Sequence, residues 1–405
     1  SGLMAPFLNE RQRYSLLAEM LRFPDTGELD GNTSRARFGG LKRTEMQTYV
    51  GLLGSLGQTT QADQALNTMV LSENWLRDLE SGDPVKIREI IAAMNERDID
   101  HQSVTYKDLL RKNLVNVAQN DGLALFARVT AADIADELGY VPDDLFSFVP
   151  VGQVGNTQSY IGRYPVTNLQ YKRFLDSPDF SDTSIWTDMQ VFDHHGNLHE
   201  DVFLNNGLEW LEKECTYTES KIHFPIEWKN PSFGIQHLTN PVVGISWWEA
   251  SAYCKWLTAH FKELPEFQYE PLLSASCVTF RLPTEKEWVL AAGGEENGRF
   301  AFGEQGIREL PRFANTSESK LMRTTPVWMY RLGVAPSGAW DMTGNVWEWQ
   351  ANYHDNEQHG SITLRGGSWD TGERQSRVSY RINARMNNAY NVIGFRVMFY
   401  CEAKT

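Results

Sequence analysis

The sequence predicts a chain of two domains, the first built from helices and the second from short segments with little regular structure. Its 405 residues exceed the usual size of a single domain. Tryptophan usage changes sharply along the chain, because Trp75 precedes residue 150 and the other 12 of the 13 tryptophans follow it. Apolar residues recur at helical spacing in the first part, whereas Gly, Pro and Asn interrupt aromatic-rich segments in the second. We therefore place the domain boundary at 145/146.

The first domain, residues 1–145, is predicted to be an all-α helical bundle. In one helix, Asp83 suits the N-cap, Pro84 suits the first helical position, and apolar residues from Ile87 to Met94 repeat at helical spacing. This pattern is compatible with a module that mediates a protein contact and equally with a plain scaffold. Similar periodicity occurs at 14–21, 45–56, 64–79, 106–117 and 131–138.

Two helix signals stand out in the otherwise irregular second domain. Ser246 is followed three residues later by Glu249, and Thr284 is followed at the same spacing by Glu287. In such a capping box each side chain accepts a hydrogen bond from the backbone N–H group of the other residue. Two N–H groups that would otherwise lack a partner at the helix start are thereby satisfied. We expect one helix to begin after each of these pairs.

The second domain, residues 146–405, includes a polar stretch at 176–240 that is rich in Asp, His and Asn. We expect this stretch to be a surface insertion. Its histidines at 194–199 lack a carboxylate at a supporting spacing on a rigid element, so a solvated loop is favoured over a metal site.

Charge and composition exclude several classes of partner. The net charge of −14 and the lack of a Lys and Arg stripe make a phosphate backbone an unfavourable ligand, so we expect no nucleic acid. Without a long uncharged apolar run or an apolar leader segment, we expect no membrane contact and a cytoplasmic protein. The four cysteines show no CxxC spacing, which argues against a zinc site and against a disulfide framework.

Several phrases of the second domain, taken in order, resemble the formylglycine-generating enzyme domain. The resemblance covers roughly residues 146–400. It implies an α+β fold of the C-type lectin-like, formylglycine-generating-enzyme type, with a small antiparallel sheet and little regular structure, here preceded by the all-α domain. The phrases are RYPVTNLQYKRFL at 163–175, PVVGISWWEASAYCKWL at 241–257, RLPTEKEW at 281–288, GNVWEW at 344–349, and LRGGSW at 364–369 with IGFRV at 393–397.

The resemblance also implies where redox metals would bind in relatives of this domain. The copper-dependent relatives hold Cu(I) with two cysteines soon after the GGS phrase, and the matching positions here are Thr371 and Ser376. The iron-dependent relatives carry an HxxxHxE motif in an N-terminal helical module, whereas the first domain here has only His101. We therefore expect neither copper nor iron, and we lean towards a protein that is not an enzyme.

A calcium site is a further implication of the resemblance. The matching positions are Asp341 and Glu348, which would bind through their side chains, and Gly344 and Val346, which would bind through their backbone carbonyls. Oxygen ligands in a tight turn suit calcium. The alternative is that both carboxylates only accept hydrogen bonds within the turn.

The polar segment at 370–392 is the candidate recognition loop. Most of its residues belong to the set of amino acids that AAC asparagine codons yield under adenine-directed mutagenesis, and Glu373 and Gln375 are exceptions. A loop of this composition on this scaffold resembles the variable proteins of diversity-generating retroelements. Tyr and Arg supply anchors, and Ser, Asn and Gly supply adaptable hydrogen bonding, so a protein or a small molecule is the expected ligand. The candidate ligand-binding residues are Asp370, Thr371, Gly372, Arg374, Gln375, Ser376, Ser379, Tyr380, Asn383, Arg385, Asn387, Asn388, Tyr390 and Asn391.

Three functions are compatible with these patterns. The favoured hypothesis is a non-catalytic binding protein that displays a diversified C-terminal loop on a lectin-type scaffold. The alternative is a metal-dependent oxidase or oxygenase of the formylglycine-generating or sulfoxide-synthase type, in which Ser368, Trp347 and Arg381 line a pocket. A third hypothesis is an intracellular sensor whose helical domain signals when the second domain binds. A polar loop here is also expected of any inactive member of the family, so composition alone does not separate them.

Overall fold

The structure is a computed structural model that describes residues 104–154, 157–204, 206–217, 223–267, 278–304, 307–355 and 361–402. The chain divides into two compact units, Ser1–Val117 and Ala118–Thr405. The helices predicted between residues 14 and 94 lie outside the described residues. The predicted domain boundary at 145/146 stays a prediction, and the helix Leu125–Glu137 belongs to the second compact unit.

Helices begin where the sequence supplies side-chain caps. Ser246 Oγ accepts from Glu249 N at 3.2 Å while Glu249 Oε2 accepts from Ser246 N at 2.7 Å. Thr284 and Glu287 form the second predicted capping box, so both predictions are confirmed. The described helices are α1 (Val104–Ala118), α2 (Leu125–Glu137), α3 (Asn168–Leu175), α4 (Thr183–Trp186), α5 (Asn206–Tyr217), α6 (Trp247–His260) and α7 (Glu285–Ala291), with short 3-10 helices at Pro178–Ser181, Pro265–Phe267, Glu295–Asn297, Ile307–Arg312, Ser317–Ser319 and Arg331–Gly333.

Two sheets form the β part of the second unit, as far as the structure describes it. The strands are β1 (Phe148–Val154), β2 (Thr157–Gly162), β3 (Met189–Phe192), β4 (Leu198–Leu204), β5 (Val278–Arg281), β6 (Trp347–Tyr353), β7 (Ser361–Arg365), β8 (Arg381–Arg385), β9 (Ile393–Phe395) and β10 (Met398–Glu402). The first sheet has the order β1-β2-β10-β5, and all its pairs are antiparallel. The second has the order β4-β3-β6-β7-β8, with β9 parallel to β6. This mixture of short helices and small sheets confirms the predicted α+β class.

The core of the second unit explains the aromatic-rich texture of its sequence. Trp186, Trp247 and Trp349 are almost completely buried in one large cluster, together with Tyr253 and Phe395. Aromatic side chains bury more apolar area than other residues, so short elements joined by irregular segments still enclose a stable core. These three tryptophans are therefore framework residues.

The stretch at 176–240 is more than a surface insertion, which corrects the expectation from its polar composition. It contributes α4, α5 and the paired strands β3 and β4, and β3 runs beside β6. Trp186, Met189 and Trp210 from this stretch lie in the main core. Its polar residues hid these few apolar anchors, because they are widely spaced along the sequence.

The histidine-rich loop connects β3 to β4 through a tight turn. Asp193 Oδ1 accepts hydrogen bonds from the backbone N–H groups of His195 and Asn197, each at 2.8 Å. Within the described ranges, no group of three or more His, Cys, Asp or Glu side chains is placed to hold a metal ion. The turn is therefore organised by its aspartate.

The helices were compared with the length and the apolar composition that a membrane span needs. None of the helices in the described part of the chain combines the two. Cys254 and Cys401 are buried free thiols, and burial raises the pKa of each above its ordinary value.

Candidate ligand-binding surface

The C-terminal candidate segment begins at a double-glycine turn that only glycine can adopt. Gly366 and Gly367 have φ values of +101° and +77°. A Cβ at Gly367 would lie 2.5 Å from Ser376 Oγ, and one at Gly366 would lie 3.3 Å from the indole of Trp288. The turn therefore combines a left-handed backbone with close packing, and it fixes where the segment leaves the core.

Asn345 ties this turn to the core. Its side chain is fully buried, and its Nδ2 donates to Asp341 Oδ2 at 2.8 Å and to the carbonyl of Thr325 at 3.0 Å. Its carbonyl accepts from Trp369 N at 3.0 Å, just after the double glycine. A buried polar side chain with all its partners in place holds one geometry, because every alternative leaves a group unsatisfied.

Thr371 and Ser376, the positions of the relatives' copper ligands, carry hydroxyl groups that are used locally. Thr371 Oγ1 accepts from Ser368 N at 2.7 Å and lies 3.1 Å from the Ser368 carbonyl. Ser376 is only 1% exposed, and its Oγ donates to the Gly372 carbonyl at 3.2 Å. Ser376 therefore belongs to the framework, which corrects its assignment to the ligand-binding set.

The segment that the sequence presents as one loop contains a strand. β8 pairs with β7 through five residues and forms the outer strand of its sheet among the described residues. Asn383 and Arg385 are exposed while Ala384 between them is buried, as expected for alternating side chains on a strand. Much of the predicted loop is thus a sheet edge.

Exposure divides the predicted binding residues into three groups. We define the C-terminal face as the exposed ones: Asp370, Arg374, Ser379, Asn383, Arg385, Asn387 and Tyr390. The half-buried ones are Thr371, Gly372, Gln375, Tyr380, Asn388 and Asn391, and the buried one is Ser376.

Side-chain contacts hold the half-buried members and the end of the segment. Trp369 is partly buried against Phe233, with ring centroids 5.6 Å apart, and its Nε1 donates to the Asn391 carbonyl at 3.1 Å. Trp248 Nε1 donates to Asn387 Oδ1 at 2.7 Å, so this asparagine is partly held by α6. The surface is therefore anchored along its length as well as at its two ends.

An ion cluster links β7 and β8 to the start of α7. Glu285 Oε1 lies 2.5 Å from Arg365 Nη2 and 3.0 Å from Arg381 Nε. Arg365 Nη1 also donates to the Val378 carbonyl at 2.6 Å, and Arg381 donates to the carbonyl of His354. Arg381, a pocket residue in the oxygenase hypothesis, thus contacts Glu285 and the backbone at His354, while its side chain stays 34% exposed. Sequence reasoning missed Glu285 and Arg365, because buried charges look like surface residues until their partners are known.

A second buried pair lies beneath the GNVWEW turn. Glu348 and Arg396 are both 0% exposed, and Glu348 Oε1 lies 2.8 Å from Arg396 Nη2. Glu348 Oε2 accepts from Trp288 Nε1 at 2.7 Å and from Arg396 Nε at 3.1 Å. Burial raises the pKa of nearby Asp341 to about 7, and this effect exceeds the lowering caused by the hydrogen bond from Asn345.

These contacts test whether the predicted calcium ligands fit the ion. Calcium needs several oxygen ligands that converge and are free to coordinate it. The Glu348 carboxylate is already neutralised by a buried arginine and is hydrogen-bonded through both oxygens. The donor set of Asp341, Gly344, Val346 and Glu348 therefore does not fit calcium in this arrangement, since an ion here would have to open the pair with Arg396.

Comparisons with known proteins match this architecture. Residues 128–400 match the family described as the sulfatase-modifying factor enzyme 1-like domain. The chain is 27% identical to the inactive C-alpha-formylglycine-generating enzyme 2 of Bos taurus over 271 residues, which is 63% of this chain and 81% of that protein. It is 30% identical to the formylglycine-generating enzyme of Streptomyces coelicolor over 202 residues, which is 42% of this chain and 57% of that protein.

A solved structure also matches. Treponema denticola variable protein 1 superposes with a TM-score of 0.40 and 17% identity, covering 63% of this chain and 95% of that chain. The family match extends over most of the second compact unit and begins within α2. It confirms the fold predicted from the sequence, an α+β domain of the C-type lectin-like, formylglycine-generating-enzyme type. This chain belongs to the sulfatase-modifying factor enzyme 1-like domain family.

Proposed function

We propose that this chain is a non-catalytic ligand-binding protein whose C-terminal face contacts the ligand. The observation that carries the proposal is the chemistry at Thr371 and Ser376. Both hydroxyls are hydrogen-bonded within their own turn, and Ser376 is buried. Cu(I) is selected by soft thiolates, so these oxygens are unsuitable ligands for it. The site that performs copper chemistry in relatives is here part of a structural turn.

The composition of the C-terminal face supports binding. It contains Tyr390 and two arginines among Asn, Ser and Asp, and Tyr and Arg are frequent anchors in protein interfaces. Its backbone is held by β8, by the double glycine and by Trp369. A pre-organised surface loses little conformational entropy when a ligand binds, so more of the contact energy appears as affinity.

We further propose that this face is diversified. All seven of its residues are Asn, Asp, Ser, Tyr or Arg, which belong to the set that mutated AAC codons yield. Glu373 and Gln375, which fall outside that set, are half-buried and are not part of the face. Sequencing the gene's surroundings tests this: a reverse transcriptase gene beside a near-copy of the 3′ end is expected, and its absence contradicts diversification by a retroelement.

A display experiment tests the binding function itself. Two libraries of the full chain would be displayed on yeast, one randomised at the C-terminal face and one at Ser376, Val378, Ala384 and Met386, which are buried in the same segment. Exposed substitutions usually change the free energy of unfolding by under ~0.5 kcal/mol, whereas buried ones cost several kcal/mol. We expect most members of the first library to resist protease and most members of the second to be cleaved.

The same libraries report on recognition. Selection of the face library against hen lysozyme, an unrelated protein, should yield binders whose sequences converge at the randomised positions. If the face library loses its fold as often as the buried library, or if no binder arises from it, the C-terminal face is not a display surface and the proposal is wrong.

A further inference from the structure

A half-open cavity lies between α6, β3 and β5. Its volume is about 250 Å³, and the residues that line it all belong to the described part of the chain. None of the residues of the C-terminal face lines it. Because a cavity of about 150 Å³ is enough to hold benzene, this one accommodates an aromatic ring with a short substituent.

One face of α6 forms a wall of this cavity. Trp247, Ser251 and Lys255 line it at intervals of four residues. Side chains at this spacing lie one above the other on a helix, so an indole, a hydroxyl and an ammonium group follow each other along the wall. Trp247 Nε1 already donates to the Gln350 carbonyl at 2.9 Å, so the indole offers apolar surface to the cavity.

Buried apolar side chains from other elements form much of the remaining lining. Phe192 comes from β3, Leu282 follows β5, and Ala351 comes from β6. Together with the Trp247 indole they give the cavity an apolar interior. Such an interior favours the apolar part of a ligand, and the few polar groups in it fix the ligand's orientation.

The first of these polar groups is the hydroxyl of Ser251. This residue is 8% exposed and lines the cavity, and its side chain forms no hydrogen bond with any of the described residues. Buried polar side chains in folded proteins nearly always have a partner. A hydrogen-bond acceptor inside the cavity would satisfy this one.

The second polar group is the ammonium of Lys255. Its Nζ donates to the carbonyls of Ser184 at 2.7 Å and of Thr187 at 2.6 Å. An ammonium has three N–H donors, so one remains for a ligand. No carboxylate among the described residues forms an ion pair with Lys255. The carbonyls hold the cation in place and leave its charge unneutralised.

Two other charged residues line the cavity, and neither cancels this cation. Arg281 is paired with Glu287, whose carboxylate oxygens lie 2.7 and 2.9 Å from the guanidinium. Asp188 is exposed, so water screens its charge, whereas Lys255 is half-buried. Burial lowers the pKa of Lys255 by more than Asp188 raises it, because the ammonium has lost part of its hydration. A carboxylate would replace that lost hydration.

We propose that this cavity binds a small aromatic carboxylate, with its ring against Trp247 and its carboxylate between Ser251 and Lys255. Cβ atoms four residues apart on a helix are about 5–6 Å apart, so the two oxygens of one carboxylate can accept from both side chains. Hydrogen bonds to an ionised group are about twice as strong as neutral ones, which favours an acid over an amide. This site is separate from the C-terminal face and does not depend on the function proposed for that face.

Calorimetric titration of the full chain with 3-phenylpropionate tests the proposal. Three comparison ligands isolate its parts. The amide 3-phenylpropionamide and the amine 3-phenylpropylamine keep the ring and the chain length, and propionate keeps the charge without the ring. We expect the acid to bind at least about tenfold more tightly than each of them. Equal binding of the amide, or tighter binding of the amine, would overturn the proposal.

Variants of α6 locate the binding. Lys255→Met keeps most of the apolar length and removes the charge, so it should weaken binding of the acid at least about tenfold. Its matched control is Lys262→Met, at an exposed lysine beyond the end of α6. Ser251→Leu fills the cavity and should abolish binding, whereas Ala259→Leu adds the same side chain at an exposed position of α6 and should not.

Thermal melts of these variants show which of them remain folded. Equal losses of binding in a folded variant and in its control would place the binding elsewhere and would contradict the proposal. If either cavity variant fails to fold, the unmodified protein still decides the question through its own thiols.

The two buried thiols of the described chain provide that measurement. Cys254 lines the cavity, whereas Cys401 does not. Methyl methanethiosulfonate, a small thiol reagent, would be added with and without saturating 3-phenylpropionate, and peptide mass spectrometry would follow each cysteine. We expect the acid to slow modification of Cys254 and to leave Cys401 unchanged. Unchanged modification of Cys254, or equal slowing at both thiols, would overturn the proposal.

Discussion

Replacing Arg396 should destabilise the second compact unit more than any exposed substitution. All five guanidinium donors of this 0% exposed residue have partners: both oxygens of Glu348, and the carbonyls of Gly162, Arg163 and Trp340. Arg396→Met removes every donor while it preserves much of the apolar length. Glu348 then keeps a single hydrogen bond, from Trp288 Nε1.

The expected magnitude follows from these contacts. Breaking a buried ion pair by removing one partner costs about 3–5 kcal/mol, because the other charge is left uncompensated. Each carbonyl that loses its donor adds roughly 1–3 kcal/mol unless water replaces the bond. The loss is thus at least about 3–5 kcal/mol, which is a large part of the roughly 5–15 kcal/mol that stabilises a typical domain.

Guanidinium unfolding followed by tryptophan fluorescence measures this loss, since 12 of the 13 tryptophans lie after residue 150. The double variant Arg396→Met with Glu348→Leu removes both charges and should be more stable than Arg396→Met alone. Arg374→Met is the exposed control, with an expected change under ~0.5 kcal/mol. A loss in Arg396→Met no larger than the control's, or additive losses in the double variant, would refute the reasoning.

Three further outcomes are expected. Burial raises the pKa of Asp136 above its ordinary value of 3.8, so the folded state binds this proton more tightly than the unfolded state does. The free energy of unfolding therefore falls as the pH rises above 3.8. Asp136→Asn should reduce this dependence in urea unfolding measured over a pH series, and an unchanged dependence contradicts the prediction. Melting temperatures with calcium and with chelator should be equal, because Arg396 neutralises Glu348; a rise with calcium that Asp341→Asn abolishes would establish the calcium site. Protein incubated with Cu(I) and a cysteine-containing sulfatase peptide should form no aldehyde, as judged by mass spectrometry, since Thr371 and Ser376 offer no thiolate; turnover would show that the chain is an enzyme.

Local signals made part of the fold predictable. The capping boxes at Ser246 and Thr284 fixed two helix starts, because each depends on side chains only three residues apart. The ordered phrases gave the fold through their resemblance to a family. Neither signal needed knowledge of distant contacts.

Features that depend on distant contacts escaped prediction. Ser376 looks like a loop residue, and its burial depends on its close approach to Gly367. Arg365 and Arg396 look like surface residues, and their roles depend on Glu285 and Glu348 far away along the chain. The backbone hydrogen bonds of Gly244 to Tyr390 and to Ile226 were also missed, because the three residues lie far apart in the sequence.

The pairing of β8 with β7 has a consequence for how this surface could change over generations. Asn383 and Arg385 stand two residues apart on the same side of β8, so their Cα atoms are about 6.6 Å apart, a spacing set by the strand backbone. Substitutions at these positions alter the chemical groups but leave their separation unchanged. Variants at these positions would therefore present different side chains at a constant spacing. Their affinities would differ mainly through dissociation rates, because no variant needs to reorganise the strand before binding.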